Sequence, residues 1–388
     1  ITNNNRLALT VGHHLHNEAK INAAAQLDIT ANQITNTGAL QVGQGKATLT
    51  AGDLKNQSLI SSGQALSLNL DQRLQNEGQI LTEKDLKAAA IHIDNTGTLQ
   101  GGQGTTTLTA QKTLKNTKSI TSAQDLQITV GQALQNKGNL VAGRSITVTS
   151  AQITNEGDIV ACEGDLSLTT NKGDLDNQHV IKGGKNLSLE AQTNLINTGG
   201  IIGYGAKTTL TTRKGNIINR KAIKSAGTLS LKVAETLQND KKGAIAACHS
   251  LQLMGGTVSN QGTITGGAGK NTMNLGTLQN KALINSVQGW RIDAQRIENH
   301  GQLSANTDLV LQAAAIENQG HIVGGNGKTT LTTGTLTNSR GGHIISQQDL
   351  EIATKGVVFN HGQMATKRHL SISATKELIN NGKVAGGK

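Results

Sequence analysis

The chain predicts an all-β fold, a parallel β-helix (solenoid) of about nineteen coils, and three observations carry that reading. An aliphatic-x-Asn core recurs with Asn at 17, 36, 56, 76, 95, 116, 136, 155, 177, 197, 219, 239, 260, 280, 299, 318, 338, 360 and 380, in steps of 19 to 22 residues. Short stretches between these asparagines alternate apolar and polar residues with period two, the mark of strands with one buried face. Finally, 388 residues include 47 Gly and no Pro. Stacked coils need nearly every backbone N–H as a donor to the neighbouring coil, which excludes proline.

Each coil is built in the same order. It begins at aliphatic-x-Asn-x-Gly-x-aliphatic, as in Ile34-Thr35-Asn36-Thr37-Gly38-Ala39-Leu40 and Leu134-Gln135-Asn136-Lys137-Gly138-Asn139-Leu140. Two residues past the second aliphatic stands a small residue, such as Ala23, Ser62, Gly101, Ser122, Ala142 or Ser346, with Val42 as the large exception. A tight corner explains that restriction. A second alternating stretch follows, for example Leu66-Ser67-Leu68, Ile146-Thr147-Val148 or Leu370-Ser371-Ile372. Helical repeats would show i, i+3, i+4 spacing, which is absent. Stacked at about 4.8 Å per coil, nineteen coils predict a rod of roughly 90 Å. The recurring Asn is expected at a corner, where amides on successive coils hydrogen-bond as a ladder. The expected ladder residues include Asn36, Asn56, Asn76, Asn95, Asn116, Asn136, Asn155, Asn177, Asn197, Asn219, Asn260, Asn280, Asn299, Asn318, Asn360 and Asn380.

A longer period lies over the short one. Gly-x-Gly turns occur at Gly43-Gln44-Gly45, Gly102-Gln103-Gly104, Gly203-Tyr204-Gly205, Gly267-Ala268-Gly269 and within Gly324-Gly325-Asn326-Gly327-Lys328-Thr329-Thr330, and the final Gly386-Gly387-Lys388 begins alike. The step is three coils, with one slip between Asn155 and Asn197, so residues 1–388 read as one repeat segment grown by duplication of a three-coil unit. The last turn but one resembles a phosphate-binding loop, but such a loop needs Gly six residues before its Lys, and Ile322 stands there. Repetition along the chain makes it a corner.

Composition narrows the function. One each of Trp, Tyr and Phe cannot build ordinary globular cores, so Leu, Ile, Val and Ala must do the burying. The strict period argues against disorder. Net charge is +11, compatible with anionic surfaces without identifying one. No apolar run is long enough to span a bilayer. The chain opens on Ile1 with no leader-like segment, and its ends are expected to be internal to a larger protein.

Candidate sites are few. Cys162 and Cys248 occupy equivalent places four coils apart, about 19 Å along the expected axis, too far for a disulfide. Eleven histidines form no recognised ligand spacing, and no metal or cofactor is expected. Enzymes on β-helices need paired carboxylates or a basic cluster in a groove with aromatic rings, and neither is present, so no catalytic residues are expected. The densest basic stretch holds Lys182, Lys185, Lys207, Arg213, Lys214, Arg220, Lys221 and Lys224 against the single acid Glu190. It is a candidate for anionic glycans, although these residues do not share one column of the repeat. Nucleic acid is not expected as a partner, since no aromatic platform accompanies the lysines.

The repeat resembles the filamentous haemagglutinin repeats of Gram-negative exoproteins. The match is carried by units such as Ile153-Thr154-Asn155-Glu156-Gly157-Asp158-Ile159 followed by Gly164-Asp165-Leu166-Ser167-Leu168, and it extends over all nineteen units. The resemblance implies a right-handed helix, export by a cognate outer-membrane transporter, and a secreted or outer-membrane-attached location. It implies a non-catalytic shaft that projects a receptor-binding and toxin-delivery end in contact-dependent growth inhibition. The alternative is an adhesin shaft that itself binds glycans or host surfaces. A polysaccharide-acting enzyme is a distant third. Receptor and glycan contacts would then belong to other regions of the parent protein.

Overall fold

The computed structural model describes residues 1–387; Lys388, the last residue of the closing Gly386-Gly387-Lys388 turn, lies outside them. It is a parallel β-solenoid of about nineteen turns of roughly twenty residues, with no helix among the described residues. The chain divides into two compact units, Ile1–Gln192 and Thr193–Lys388.

In the first unit each coil contributes a short strand and a long one. The short strand Asn139–Ala142 lies parallel between Ser119–Ser122 and Asp158–Ala161. The long strand Leu126–Asn136 lies parallel between Thr106–Asn116 and Ile146–Asn155. Short strands therefore stack on short strands, and long on long, with partners about one coil away in sequence. Alternation decides which side chains turn inward: Leu126, Ile128 and Val130 are buried, and the intervening Gln127 and Thr129 face out. After Val130 the alternation breaks. Gly131 and Gln132 both face out, the register with the next coil shifts, and burial resumes at Leu134 and Asn136. This bulge bends the long strand into two faces without ending it. Most coils thus hold one short strand and one bent strand.

The strand parts where a fourth residue enters the bend, and also at some three-residue bends, such as those after Ala191 and Thr354. Three residues separate the inward Val130 and Leu134, but four separate Thr170 from Leu175, and there the strand divides into Leu166–Thr170 and Leu175–Asn177. The buried Thr170 Oγ1 closes the loop by donating to the Gly173 carbonyl at 2.6 Å.

The second unit repeats this plan. Ala244–Ala247 lies between Ala222–Ser225 and Thr263–Gly266, and Leu309–Asn318 lies between Trp290–Asn299 and Thr329–Asn338. Lys207–Thr212 and Ile217–Asn219 part at a four-residue bend, with Thr212 Oγ1 donating to the Gly215 carbonyl at 2.8 Å. The single Trp, Trp290, fills an inward position that is Leu309 on the next coil, and it is 1% exposed. It belongs to the core and lines no sugar platform.

The small position has its own chemistry. Ser62 Oγ donates to the Ala65 carbonyl at 3.0 Å, and Ser225, Ser286 and Ser346 make the same reach to the carbonyls of Thr228, Gly289 and Asp349. The hydroxyl closes the turn between short and long strand from inside, which a large apolar side chain could not do.

Candidate functional site

The dominant constructed feature is a column of asparagine amides inside each unit. In the first, Nδ2 of Asn17, Asn36, Asn56, Asn76, Asn95, Asn116, Asn136 and Asn155 each donates to Oδ1 of the Asn on the next coil, ending at Asn177, at 2.7–2.8 Å. In the second, the same bond runs from Asn197 through Asn219, Asn239, Asn260, Asn280, Asn299, Asn318, Asn338 and Asn360 to Asn380, at 2.7–2.9 Å. Every amide points the same way along the chain, donor toward the C-terminal coil.

The second amide hydrogen is used as well. Asn136 Nδ2 lies 3.0 Å from its own Gly138 carbonyl and 3.2 Å from the Asp158 carbonyl of the next coil. Asn36 and Asn56 likewise reach Leu59 and Gln79. A buried amide costs free energy when unpaired, and here donors and acceptors are matched coil after coil. Asn suits this place because Leu or Val could not bridge the turn carbonyls, and Asp could not donate.

Outside the column, a second device was not anticipated from the sequence. Asp85 Oδ1 accepts the Thr105 N–H of the next coil at 2.8 Å, and Asp125 accepts that of Ser145 at 3.0 Å. Asp165, Asp308 and Asp349 do the same for Asn186, Lys328 and His369. Each precedes the first inward Leu of a long strand, so the recurring Asp-Leu pair was the available signal. Replacing Asp125 with Ala is expected to cost about 1 kcal/mol, the worth of one charge-assisted bond at a partly exposed site. Asp125→Asn should lose less, because its amide oxygen still accepts; equal losses would show that the bond contributes nothing.

Surface charges pair mostly across coils. Lys137 meets Glu156 at 3.2 Å, and Arg296 meets Glu317 at 2.7 Å. Lys328, from the loop that resembled a phosphate cradle, pairs with Glu351 of the following coil, and the hydrogen bond it donates to that carboxylate raises its pKa. Glu77 accepts Gln57 Nε2 at 2.9 Å and Gln75 Nε2 at 2.6 Å, with Lys55 at 3.5 Å. The Gln57 bond, foremost, and then Gln75 and Lys55 hold its pKa below the ordinary 4.5, against the opposing effect of burial. A depressed folded-state pKa stabilises the fold above that ordinary value and is lost as pH falls through the lowered one. The expected result is that wild type loses a little more stability than Glu77→Gln below pH 4.5, read by acid titration of unfolding. Identical acid limbs would count against it.

The basic candidates fall in separate places. In the first unit Lys182 is half-buried on a short strand, where it stands beside Val160, and Lys185 is exposed on the following turn. In the second, Lys207 opens a long strand opposite Thr228, and Lys224 stands on a short strand opposite Ala246. Arg213 and Lys214 sit in the four-residue bend, and Arg220 and Lys221 follow the ladder residue Asn219. Arg220 Nε is 3.1 Å from Asp240 of the next coil. Lys207, Arg213, Lys214, Lys221 and Lys224 are all exposed, but they occupy different columns. Cys162 and Cys248 are exposed free thiols. Among the described residues no three His, Cys, Asp or Glu side chains converge as a metal cluster, and no helix is long and apolar enough to cross a membrane.

A parallel solenoid with one inward Asn per coil, aligned in an amide column within each unit, is the architecture of a repeat shaft, and comparison with known families agrees. The haemagglutinin repeat matches residues 1–69, 42–118, 101–179, 161–247 and 268–382, and the chain belongs to that family. It is similar to the tRNA nuclease CdiA of Yersinia mollaretii, 24% identical over 98% of the chain and 11% of that protein. It is also similar to the deoxyribonuclease CdiA of Dickeya dadantii, 26% identical over 89% of the chain and 10% of that protein, and to the toxin CdiA of Escherichia coli, 30% identical over 79% and 10%. The chain spans about a tenth of the length of these relatives. No solved structure matches it.

Proposed function

We propose that this chain is a non-catalytic length of shaft in a large secreted exoprotein of a Gram-negative bacterium, a protein that works in contact-dependent growth inhibition. The observation that carries the reading is uniformity. Coil after coil repeats one inward Asn, one bend and a corner residue that is small except at Val42, and among the described residues the outward side chains change without forming a convergent catalytic group. A shaft needs a stiff, continuous interior and is indifferent to its outer columns. The similarity to three CdiA toxins supports the toxin-bearing branch over a simple adhesin. On this reading a cognate outer-membrane transporter exports the protein, and receptor recognition and toxin lie in other regions.

The test is to excise one whole coil, residues 117–136, from the intact exoprotein, which joins Asn116 to Lys137 in the register that Asn136 had. Surface display and growth inhibition should persist. Excising half a coil should abolish display, since short strands would then stack against long ones and the Asn column would be interrupted. Loss of inhibition by the whole-coil variant, with display intact, would mean that the segment carries a specific site and would overturn the shaft reading.

Exposure of Lys207, Arg213, Lys214, Lys221 and Lys224 favours one second reading, a shaft that itself binds anionic glycans. That reading expects glycan binding which weakens with salt and is lost on charge reversal at Arg213, Lys214 and Lys221. Binding unaffected by both would remove it.

A further inference from the structure

The rings of His321 and His343 stack on adjacent coils of the second unit, with centroids 4.8 Å apart and planes inclined by 7°. They are register partners in neighbouring short strands, His321–Gly324 and His343–Ser346, and both open the outward face of their strand. Gln363, the register partner of His343 on the next coil, places Oε1 3.2 Å from His343 Nδ1. An amide oxygen only accepts, so Nδ1 is the donor in this contact, and in the neutral ring Nε2 is left with its lone pair. A carbonyl that fixes one ring nitrogen as donor is the usual support of a metal-ligating histidine. Half-buried Val323 and Ile345 follow two residues later on the same outward face, limiting water on one side of the pair.

We propose that His321 and His343 form a seat for one borderline divalent transition-metal ion, with Gln363 as the positioning residue of His343. Tetrahedral coordination at about 2.0–2.1 Å needs the two ligating nitrogens about 3.4 Å apart. Parallel rings 4.8 Å apart hold their lone pairs side by side, so both imidazoles must swing out of the stack, by roughly half a tetrahedral angle each, for the lone pairs to converge on one ion. Two neutral imidazoles select copper, nickel or zinc over calcium or magnesium, with copper the strongest of the three. Water completes the coordination, so the ion is exchangeable. By bridging two coils it would also add stability while bound.

A second imidazole pair, His14 and His16, stacks at 5.8 Å in the first unit, with Glu18 3.7 Å from His16. The experiment therefore uses the full chain carrying His14→Gln, His16→Gln, Cys162→Ser and Cys248→Ser as background, because exposed thiols would bind and reduce cupric ion. Cupric ion is titrated by calorimetry and by electron paramagnetic resonance. One equivalent should bind with nitrogen superhyperfine structure in its spectrum. Adding His321→Gln or His343→Gln should each weaken it by about tenfold or more, and Gln363→Leu by a smaller factor. Both histidines face outward, so circular dichroism should be unchanged. Affinity and spectrum unaltered by His321→Gln and His343→Gln together would overturn the proposal, as would the absence of any bound equivalent in the background chain.

Discussion

Replacing Asn136 with Leu is expected to destabilise the first unit by about 3–5 kcal/mol, the largest effect of any single change considered for this chain. The side chain is fully buried. It accepts from Asn116 at 2.8 Å and donates to Asn155 at 2.8 Å and to the carbonyls of Gly138 and Asp158. Leucine has similar volume but leaves an amide donor of Asn116, the Asn155 oxygen and two carbonyls without their partner. Each orphaned buried group costs about 1–3 kcal/mol, partly relieved by relaxation. Aligned amides also polarise one another, so a break weakens bonds on both sides. Native-state hydrogen exchange is the suitable readout, because a solenoid opens locally and need not melt in two states. Protection should fall in the coils of Asn116, Asn136 and Asn155 first. Unchanged exchange there would remove the column as a source of stability. Asn380→Leu is the internal control: Asn380 is exposed and accepts from Asn360 and, at 3.4 Å, from the Gly382 N–H, groups that water can reach, so its loss should be about 1 kcal/mol or less.

Gly101→Ala is the second large effect, expected at about 1–3 kcal/mol from overpacking. A Cβ at this position would lie 1.9 Å from Thr106 Oγ1. Thr106 is fully buried where the neighbouring coils place Leu86 and Leu126, and its hydroxyl has no partner among the described residues. Glycine and threonine therefore share one volume. Thr106→Ala removes an unpartnered hydroxyl and should cost less than Gly101→Ala. The double variant should recover most of the loss, a coupling that additive changes would not give. Simple additivity in denaturation midpoints would refute the shared-volume account. The same pairing recurs at Gly266 with Asn271 and at Gly324 with Thr329, where Thr329 Oγ1 donates to Ser346 Oγ at 3.0 Å.

These two cases mark how far the residues themselves could be read. The asparagine position was legible because it repeats at a fixed interval beside an aliphatic, at a corner where stacked amides can bond from coil to coil. The Gly-x-Gly turns were legible as corners, but the glycine before them, Gly101 or Gly324, looked like another small corner residue. That its missing side chain makes room for a polar residue five positions later follows from where two strands meet. The Asp-Leu pairs were visible as text, at Asp125-Leu126 and Asp308-Leu309, and their role was not, because the N–H they accept belongs to a residue 20 positions on. The basic stretch from Lys182 to Lys224 is dense in sequence and dispersed in columns, since neighbours along a coil point to different faces.

The sequence by itself determined the coil: its period, its inward face, its corners and the exclusion of proline, all of which depend on side-chain alternation within a few residues. Tertiary structure alone decided the direction of the amide column, the bulge that bends each long strand, the break where a fourth residue enters at Thr170 and Thr212, and the stacking of His321 on His343. Each of these depends on register and rotamer between coils about 20 residues apart, a separation at which local pattern no longer constrains which atoms meet.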